Sequence, residues 1–246
     1  MGRLNDILID HYSRHYARVS VTFDDARATA EVFKEFDTQF GDIVRGLPSG
    51  SQVADLGCGI GMMLSWLATI PSLRPVGVDG SAAQIEIARK NLPPTLELHC
   101  MELEAFVRAR PARFGAMFAI NILEHIPGDD NLLALIEEVR DALVPGGVFV
   151  CAVPNAASLI GGHSRYLDLT HFRAFTTTSL LQLLEAAGLE NCQIRPRRAT
   201  DLPQAIRMWA ENQLHCLVFR VCGRVGESNF AKEVIGMGYR PRGKPH

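Results

Sequence analysis

The sequence predicts an α/β fold in which helices cover both faces of a mostly parallel, doubly wound sheet of seven strands. Three observations support this prediction. Residues 53–61 read as a short apolar strand that runs into a glycine-rich turn, and a helical segment follows. Apolar strand segments then alternate with helical segments up to about residue 195. The helical segments end at proline or glycine clusters, as at 92–94 and at 144–147.

Composition narrows the class of protein. With 246 residues the chain is long enough for one large domain with a substantial core. Its formal charge of −2 gives no basic footprint for a nucleic acid. No stretch reaches the roughly 20 apolar residues of a membrane helix, and the first residues lack the apolar core of a signal peptide. The six cysteines show no C-x-x-C spacing. We therefore expect a cytoplasmic protein that uses no nucleic acid, no membrane and no metal ion.

The glycine turn carries the most specific signal. Asp55 ends the first strand, and Gly57, Gly59 and Gly61 follow at every second position. Glycines allow the chain to reverse sharply and let a ligand lie against bare backbone. An acid ahead of the glycines repels phosphate and suits a cationic ligand, such as the amino group of an amino acid. The alternative interpretation is an ordinary strand-turn-helix unit whose glycines serve packing alone.

This acid-glycine pattern resembles motif I of the class I S-adenosylmethionine-dependent methyltransferases. The "N-x-L-E-H-x" segment at 121–126 and the "L-x-P-G-G" turn at 143–147 resemble the same family, so that the resemblance covers roughly residues 50 to 195. It implies a Rossmann-like fold, S-adenosylmethionine as cofactor and a methyltransferase activity. The cofactor-binding residues that it implies are Asp55, Gly57, Cys58, Gly59, Gly61, Asp79, Gly80, Ser81, Met101, Glu102, Asn121 and Ile122.

Two acids at later strand ends have competing interpretations. Asp79 follows the first glycine by about twenty residues, as expected for an acid that accepts hydrogen bonds from both ribose hydroxyls. Either Asp79 or Ser81 also fits as the N-cap of the next helix. The resemblance places Glu102 at the adenine amino group. A glutamate in the first turn of a helix, favoured by the helix dipole, is the alternative.

The segment 155–178 is predicted as a long functional loop that leaves the fifth strand. Its "R-Y-x-D-x-T-H-x-x-x-F-T" pattern resembles bacterial methyltransferases that act on sugars, surface-glycan units or secondary metabolites. A hydroxyl acceptor must lose a proton, so His171 steadied by Asp168 is the candidate general base. A structural His171 that fixes the loop is the alternative. The candidate substrate-binding residues are Tyr12, Tyr16, Asn155, His163, Arg165 and Tyr166.

The expected function is therefore methyl transfer to an oxygen of a small-molecule or sugar-like acceptor in natural-product or glycan biosynthesis. N-methylation of an amino sugar and a non-catalytic binding protein are the alternatives. We expect N-terminal lid helices over residues 1–48, a cofactor-binding domain over 49–246 and a helical insertion at about 203–223 before the last strand. The inserted helix is a candidate cover for the substrate pocket, a candidate homodimer contact, or a helix that packs on its own domain.

Overall fold

The computed structural model describes residues 23–223 and 229–243. The expected first lid helix, with Tyr12 and Tyr16, lies outside the described residues. The strands form one seven-stranded sheet in the order β3-β2-β1-β4-β5-β7-β6, which confirms the predicted fold class. The strands are β1 (Ser51–Leu56), β2 (Leu73–Asp79), β3 (Glu97–Cys100), β4 (Phe114–Ile120), β5 (Leu143–Pro154), β6 (Glu190–Arg195) and β7 (Glu233–Tyr239).

Helices alternate with these strands as the hydrophobic pattern predicts. They are α1 (Ala26–Arg45), α2 (Met62–Leu67), α3 (Ala82–Asn91), α4 (Leu103–Arg108), α5 (Asp129–Ala142), α6 (Gly161–Tyr166), α7 (Thr177–Ala186) and α8 (Leu202–Val221). A 3₁₀ turn spans Leu123–His125. In the part of the chain that the structure describes, no helix combines the length and the apolar character needed to cross a membrane.

The chain divides into two compact units, which are described separately. The first contains the residues up to 118 and Asp141–Gly147. Within it, β1 pairs in parallel with β2, and β2 pairs in parallel with β3. The strands β1 and β2 are almost wholly buried, as their apolar sequences predict. Helix α1 begins after Asp25, whose carboxylate accepts hydrogen bonds from two N–H groups of the first turn.

The second unit contains Ala119–Arg140 and the residues from 148 onward. Its strand β7 pairs antiparallel with both β5 and β6, which is the expected position of the last strand. Gly236 lies where α7 packs on β7, because an added Cβ would come within 2.8 Å of Leu180 Cδ2. The glycine therefore permits the close approach of helix and strand.

Three predicted boundaries are wrong. The Pro-Gly-Gly turn at 145–147 belongs to β5, and only a glycine fits at 147, since a Cβ there would meet the Phe114 carbonyl oxygen at 3.0 Å. Helix α7 begins within the predicted loop 155–178, because Thr176 and Ser179 form a reciprocal capping box. The expected loop 155–178 also contains the short helix α6.

Helix α8 confirms the predicted insertion before the last strand, but it is not buried on most faces. His215 is its buried residue, and Phe219 packs on the ring of Phe230 with centroids 4.7 Å apart. Many of its large apolar side chains are exposed, among them Ile206, Trp209, Leu214, Leu217 and Val221. Packing on its own domain therefore covers one face of this helix, and the homodimer stays a prediction.

Gly77 tests how tightly the first unit packs. A Cβ at this position would lie 2.3 Å from Leu64 Cδ1 and 2.9 Å from Cys58 Sγ, and Leu64 is fully buried. We expect Gly77→Ala to lower the free energy of unfolding by about 1–3 kcal/mol, measured by urea denaturation. Gly80→Ala is the matched control, because nothing lies within 4 Å of its added Cβ. Equal stability of the Gly77 variant and the control would contradict this account of the packing.

Candidate functional site

The glycine turn of the first unit has the backbone conformation that its sequence predicts. Gly57, Gly59 and Gly61 all have positive φ values, of 72°, 52° and 90°. Such values are readily accessible only to glycine. Asp55 stands just before the turn at the end of β1, with 4% of its surface exposed. A buried carboxylate thus lies beside a stretch of left-handed backbone.

Asp79 holds this turn in place from the neighbouring strand. Its Oδ2 accepts a hydrogen bond from Gly59 N at 2.9 Å, and its Oδ1 accepts one from Ser81 N at 2.8 Å. The N-cap of α3 is Ser81, whose hydroxyl accepts from Gln84 N. Of the two candidate N-caps, Ser81 therefore caps the helix. The Asp79 carboxylate instead joins β2 to the glycine turn.

One side of the turn is packed and another is open. A Cβ at Gly61 would lie 2.4 Å from Leu92 Cδ1, so this glycine serves close packing. A Cβ at Gly59 would meet only Gln84 Oε1, at 3.9 Å, and one at Gly80 would meet nothing within 4 Å. Packing alone therefore does not explain Gly59, whose open face is suited to a ligand that lies against the backbone.

Burial controls the ionisation of this region. It raises the pKa of Asp55 to about 7, and the charge of Asp79 adds to the shift. Burial also raises the pKa of Asp79, although the N–H groups of Ser81 and Gly59 oppose that shift. The pKa of the Cys58 thiol rises for the same reason, with further contributions from both acids. A cationic ligand would relieve the repulsion between the two carboxyl groups.

The adenine-side candidates follow β3. Met101 N donates to the backbone oxygen of Asp79 at 3.2 Å, which connects this segment to the end of β2. Glu102 is exposed and occupies the N-cap position of α4 without a capping hydrogen bond from its side chain. The carboxylate of Glu102 therefore forms no capping hydrogen bond, and its position at the start of α4 fits both the ligand-binding and the helix-dipole interpretations.

The second unit holds the remaining cofactor candidates. Asn121, the first residue after β4, has a φ of 55°, and its N–H donates to Ala152 O at 2.8 Å. Asparagine tolerates this left-handed conformation better than most residues, and such strain is often found at functional positions. Ile122 precedes the 3₁₀ turn and is half-buried.

A buried cluster of polar side chains follows in the same unit. One ligand-type atom from each of Glu124, His125 and His171 lies within 4.8 Å of the other two. The two imidazole rings meet edge to face, with centroids 4.6 Å apart. His125 Nδ1 is 2.8 Å from Thr170 Oγ1, and that hydroxyl donates to Asp168 Oδ1 at 2.7 Å.

Burial shifts the pKa values of the acid and the histidine of this cluster in opposite directions. It raises the pKa of Glu124 to about 8, and the charges of Glu233 and Asp168 add to the shift. It lowers the pKa of His125 to about 4, with His171 as a second cause. Burial alone would raise the pKa of Asp168, but the hydrogen bonds from Thr170 and the two nearby histidines bring it below its usual value. Near neutral pH, His125 is therefore neutral and Asp168 is ionised.

The side chains of the candidate pair, His171 and Asp168, have different hydrogen-bond partners. The Asp168 carboxylate accepts from the N–H and hydroxyl of Thr170. His171 Nδ1 instead contacts the backbone oxygen of Ser164 at 3.0 Å, and His171 is 7% exposed. Because His171 is bonded to the backbone of its own loop, the alternative of a loop-fixing His171 gains support. Asp168 can act on His125 through the Thr170 hydroxyl.

The substrate-binding candidates are spread along the loop. His163 and Tyr166 are exposed, and Arg165 donates to Phe172 O at 2.8 Å with its guanidinium 4.9 Å from the centre of the Tyr166 ring. Asn155 is fully buried. Its amide nitrogen donates to Asn229 O and Ala231 O, and its Oδ1 accepts from Ala157 N. These contacts indicate that Asn155 anchors the loop rather than contacting a substrate.

The sequence patterns assigned no binding or catalytic role to Glu124, His125 or Thr170. A usable signal was the adjacent acid and histidine directly after a buried strand, since side chains at that edge are often functional. A separate cavity of about 590 Å³ lies in the second unit, lined by Leu181, Ile194, Met208, Trp209 and Phe230 among others. Of the predicted substrate residues that the structure describes, none lines this cavity.

Residues 25–194 match the family model described as "methyltransferase domain". The ubiquinone biosynthesis O-methyltransferase of Idiomarina loihiensis is 26% identical over 159 residues, which cover 59% of this chain and 64% of that protein. The chain thus spans less than two thirds of this relative's length.

Solved structures show the same fold. A SAM-dependent methyltransferase from Archaeoglobus fulgidus superposes with a TM-score of 0.66 at 18% identity, over 94% of this chain and 100% of that one. A second structure is that of phosphoethanolamine N-methyltransferase 2 of Haemonchus contortus in complex with S-adenosyl-L-methionine. It superposes with a TM-score of 0.60 at 14% identity, over 96% of this chain and 57% of that one. Because the family match covers more than half of the chain, the protein belongs to the methyltransferase domain family.

Proposed function

We propose that this protein transfers the methyl group of S-adenosylmethionine to an oxygen of a small-molecule or sugar-like acceptor. The observation that carries the proposal is the buried carboxylate of Asp55 beside the open backbone of Gly59, which Asp79 holds in place. When bound, the cofactor supplies a methyl group activated by a positively charged sulfur. Its amino-acid part presents the cationic amino group that a buried carboxylate needs as a partner.

The first unit supplies the groups that would hold the cofactor. Ionised Asp55 attracts the ammonium group, and Gly59 leaves room for the ligand to lie on the backbone. Each Asp79 oxygen accepts one N–H from the protein and retains a lone pair for a ribose hydroxyl. The exposed carboxylate of Glu102 is the proposed partner of the adenine amino group.

The second unit supplies the proposed acceptor side. In the transfer, the acceptor oxygen forms its bond to the methyl carbon as the carbon–sulfur bond breaks, and the electron pair of that bond goes to sulfur. The hydroxyl proton must then leave the acceptor. His171 donates from Nδ1 to Ser164 O, so its Nε2 carries a lone pair and we assign it the task of assisting proton removal. Asp168 contributes through Thr170 and His125.

An oxygen acceptor accounts for this cluster better than a nitrogen acceptor does. A deprotonated amine attacks without losing a proton first, whereas a hydroxyl benefits from a nearby base. The similarity to an O-methyltransferase of ubiquinone biosynthesis supports the same choice. N-methylation of an amino sugar is the second candidate, because a deprotonated amine needs less help from a base.

Asp55 gives a prediction about pH. Because burial raises its pKa to about 7, Asp55 is largely protonated at pH 6 and ionised at pH 8. Since only the ionised form attracts the ammonium group, calorimetry should show cofactor affinity rising across this range. Asp55→Asn should weaken binding at pH 8 by about tenfold or more, corresponding to ~1.4 kcal/mol, and should flatten the pH dependence.

The stability of the same variant provides the control. A raised carboxyl pKa means that folding stability is lost as pH rises from the unfolded value near 4 through the folded value near 7. Asp55→Asn removes that loss, so the variant should be at least as stable as the parent at pH 8. A destabilised variant with unchanged cofactor affinity would show that Asp55 is purely structural.

Gly59 tests whether the open side of the turn holds the ligand. Gly59→Ala introduces a Cβ into open space at a φ of 52°, and Gly50→Ala does the same at a φ of 83°. Both variants should lose about 1 kcal/mol of stability from backbone strain. Only Gly59→Ala should weaken binding of the demethylated cofactor in calorimetry, by tenfold or more. Equal affinity in the two variants would place the ligand elsewhere.

The proposed role of His171 in proton removal can be tested with a labelled methyl donor. The protein is expected to transfer label to the oxygen of at least one hydroxylated acceptor from a panel of sugars and phenols, with the modified atom identified by mass spectrometry. His171→Ala should lower turnover by about 10²–10⁴-fold while cofactor affinity is retained. Binding of the cofactor without transfer to any acceptor would favour the non-catalytic alternative, and label on nitrogen would favour the amine.

A further inference from the structure

The cluster of Glu124, His125 and His171 contains two imidazoles and one carboxylate, the donor types that bind divalent transition metals. The chain brings them together from two segments that are 46 residues apart in sequence. Phe172 N donates to Glu124 O at 2.7 Å, and Arg173 donates to Ile126 O at 3.0 Å. These bonds fix the segment after β4 against the segment that carries His171.

Hydrogen bonds determine which nitrogen of each ring carries its proton. The Thr170 hydroxyl donates its hydrogen to Asp168, so it can only accept a hydrogen bond from His125 Nδ1. The Ser164 carbonyl can likewise only accept from His171 Nδ1. In the neutral rings, both Nε2 atoms therefore carry the lone pair that a metal ion requires. Metal-binding histidines usually have this arrangement, with the second ring nitrogen donating to a carbonyl or to a group bonded to a carboxylate.

Glu124 is the independent observation that points to a ligand. Its side chain is 0% exposed, and neither carboxylate oxygen has a hydrogen-bond partner among the described residues. A buried polar group without a partner is costly, and a buried charge more so. Since the carboxylate lies beside two imidazole donors, a bound cation would satisfy it directly.

The distances agree with a site that closes slightly around an ion. Donor atoms that share one metal at about 2.0–2.2 Å lie roughly 3–4 Å apart. The three donors lie within 4.8 Å of one another, so side-chain rotations that move them by about 1 Å suffice. We propose that Glu124, His125 and His171 bind one divalent transition-metal ion of the Zn²⁺ class, in contrast to the expectation from the sequence that the protein uses no metal.

Three protein ligands would leave a coordination position open. An acceptor hydroxyl that binds there would have its pKa lowered by the cation, so its proton would leave without a free histidine base. This role of the ion rests on the proposed function, whereas binding of the ion does not. On this account, His171 assists proton removal as a ligand of the metal.

The test measures metal binding directly on the full chain after treatment with a chelator. Titration with Zn²⁺ in a calorimeter at pH 7.5 should show one ion per chain, and Co²⁺ should give a visible absorption band from histidine ligation. Glu124→Gln and His171→Ala should each weaken Zn²⁺ binding by at least about tenfold. Thr170→Val, which leaves the ligands in place but removes the hydroxyl beside His125 Nδ1, should weaken it by about 10–100-fold.

His99→Ala is the matched control, because His99 forms a partly exposed pair with Glu97 at 2.6 Å outside the cluster. This variant should keep the full Zn²⁺ affinity. The proposal is overturned if the parent chain binds no Zn²⁺, or if the three cluster variants bind it as tightly as the parent. Calorimetry with the demethylated cofactor on the same samples separates the two proposals, since Glu124→Gln should leave cofactor affinity unchanged.

Discussion

A carboxylate that is buried must find a positive partner or remain protonated. Asp55 is held at the end of a buried strand, where its pKa rises to about 7, and it adjoins backbone that has no side chains. This arrangement costs stability above neutral pH and is therefore difficult to explain by packing. It becomes favourable when a ligand brings a positive charge onto the glycine turn. The hydrogen bond from Gly59 to Asp79 keeps that turn ready for binding.

The same physical rule applies to the second unit. Glu124 is enclosed more completely than Asp55, and its carboxylate has no hydrogen-bond partner among the described residues. The histidines beside it are held in fixed orientation by Thr170 and Ser164. Each unit thus contains a buried acid whose ionised form a positive partner would stabilise.

Local sequence patterns predicted the fold and the glycine turn because the residues that matter are neighbours in the chain. Asp55 and its glycines fall within seven positions, and their spacing alone specifies the backbone. The cluster of the second unit depends on Thr170 meeting His125, 45 residues away, which no local pattern contains. Proximity in sequence suggested the pair of His171 and Asp168. The Asp168 carboxylate instead accepts hydrogen bonds from the N–H and hydroxyl of Thr170, which is nearer in sequence. Burial of Asn155 likewise depends on contacts with residues more than 70 positions away.

The most direct test of the central claim is a crystal structure of the full chain with the demethylated cofactor bound. The account predicts the amino group within hydrogen-bond distance of the Asp55 carboxylate, the amino-acid part against Gly57 and Gly59, and the ribose on Asp79. A ligand bound away from the glycine turn, or one whose amino group faces solvent while Asp55 stays enclosed by protein, would contradict it.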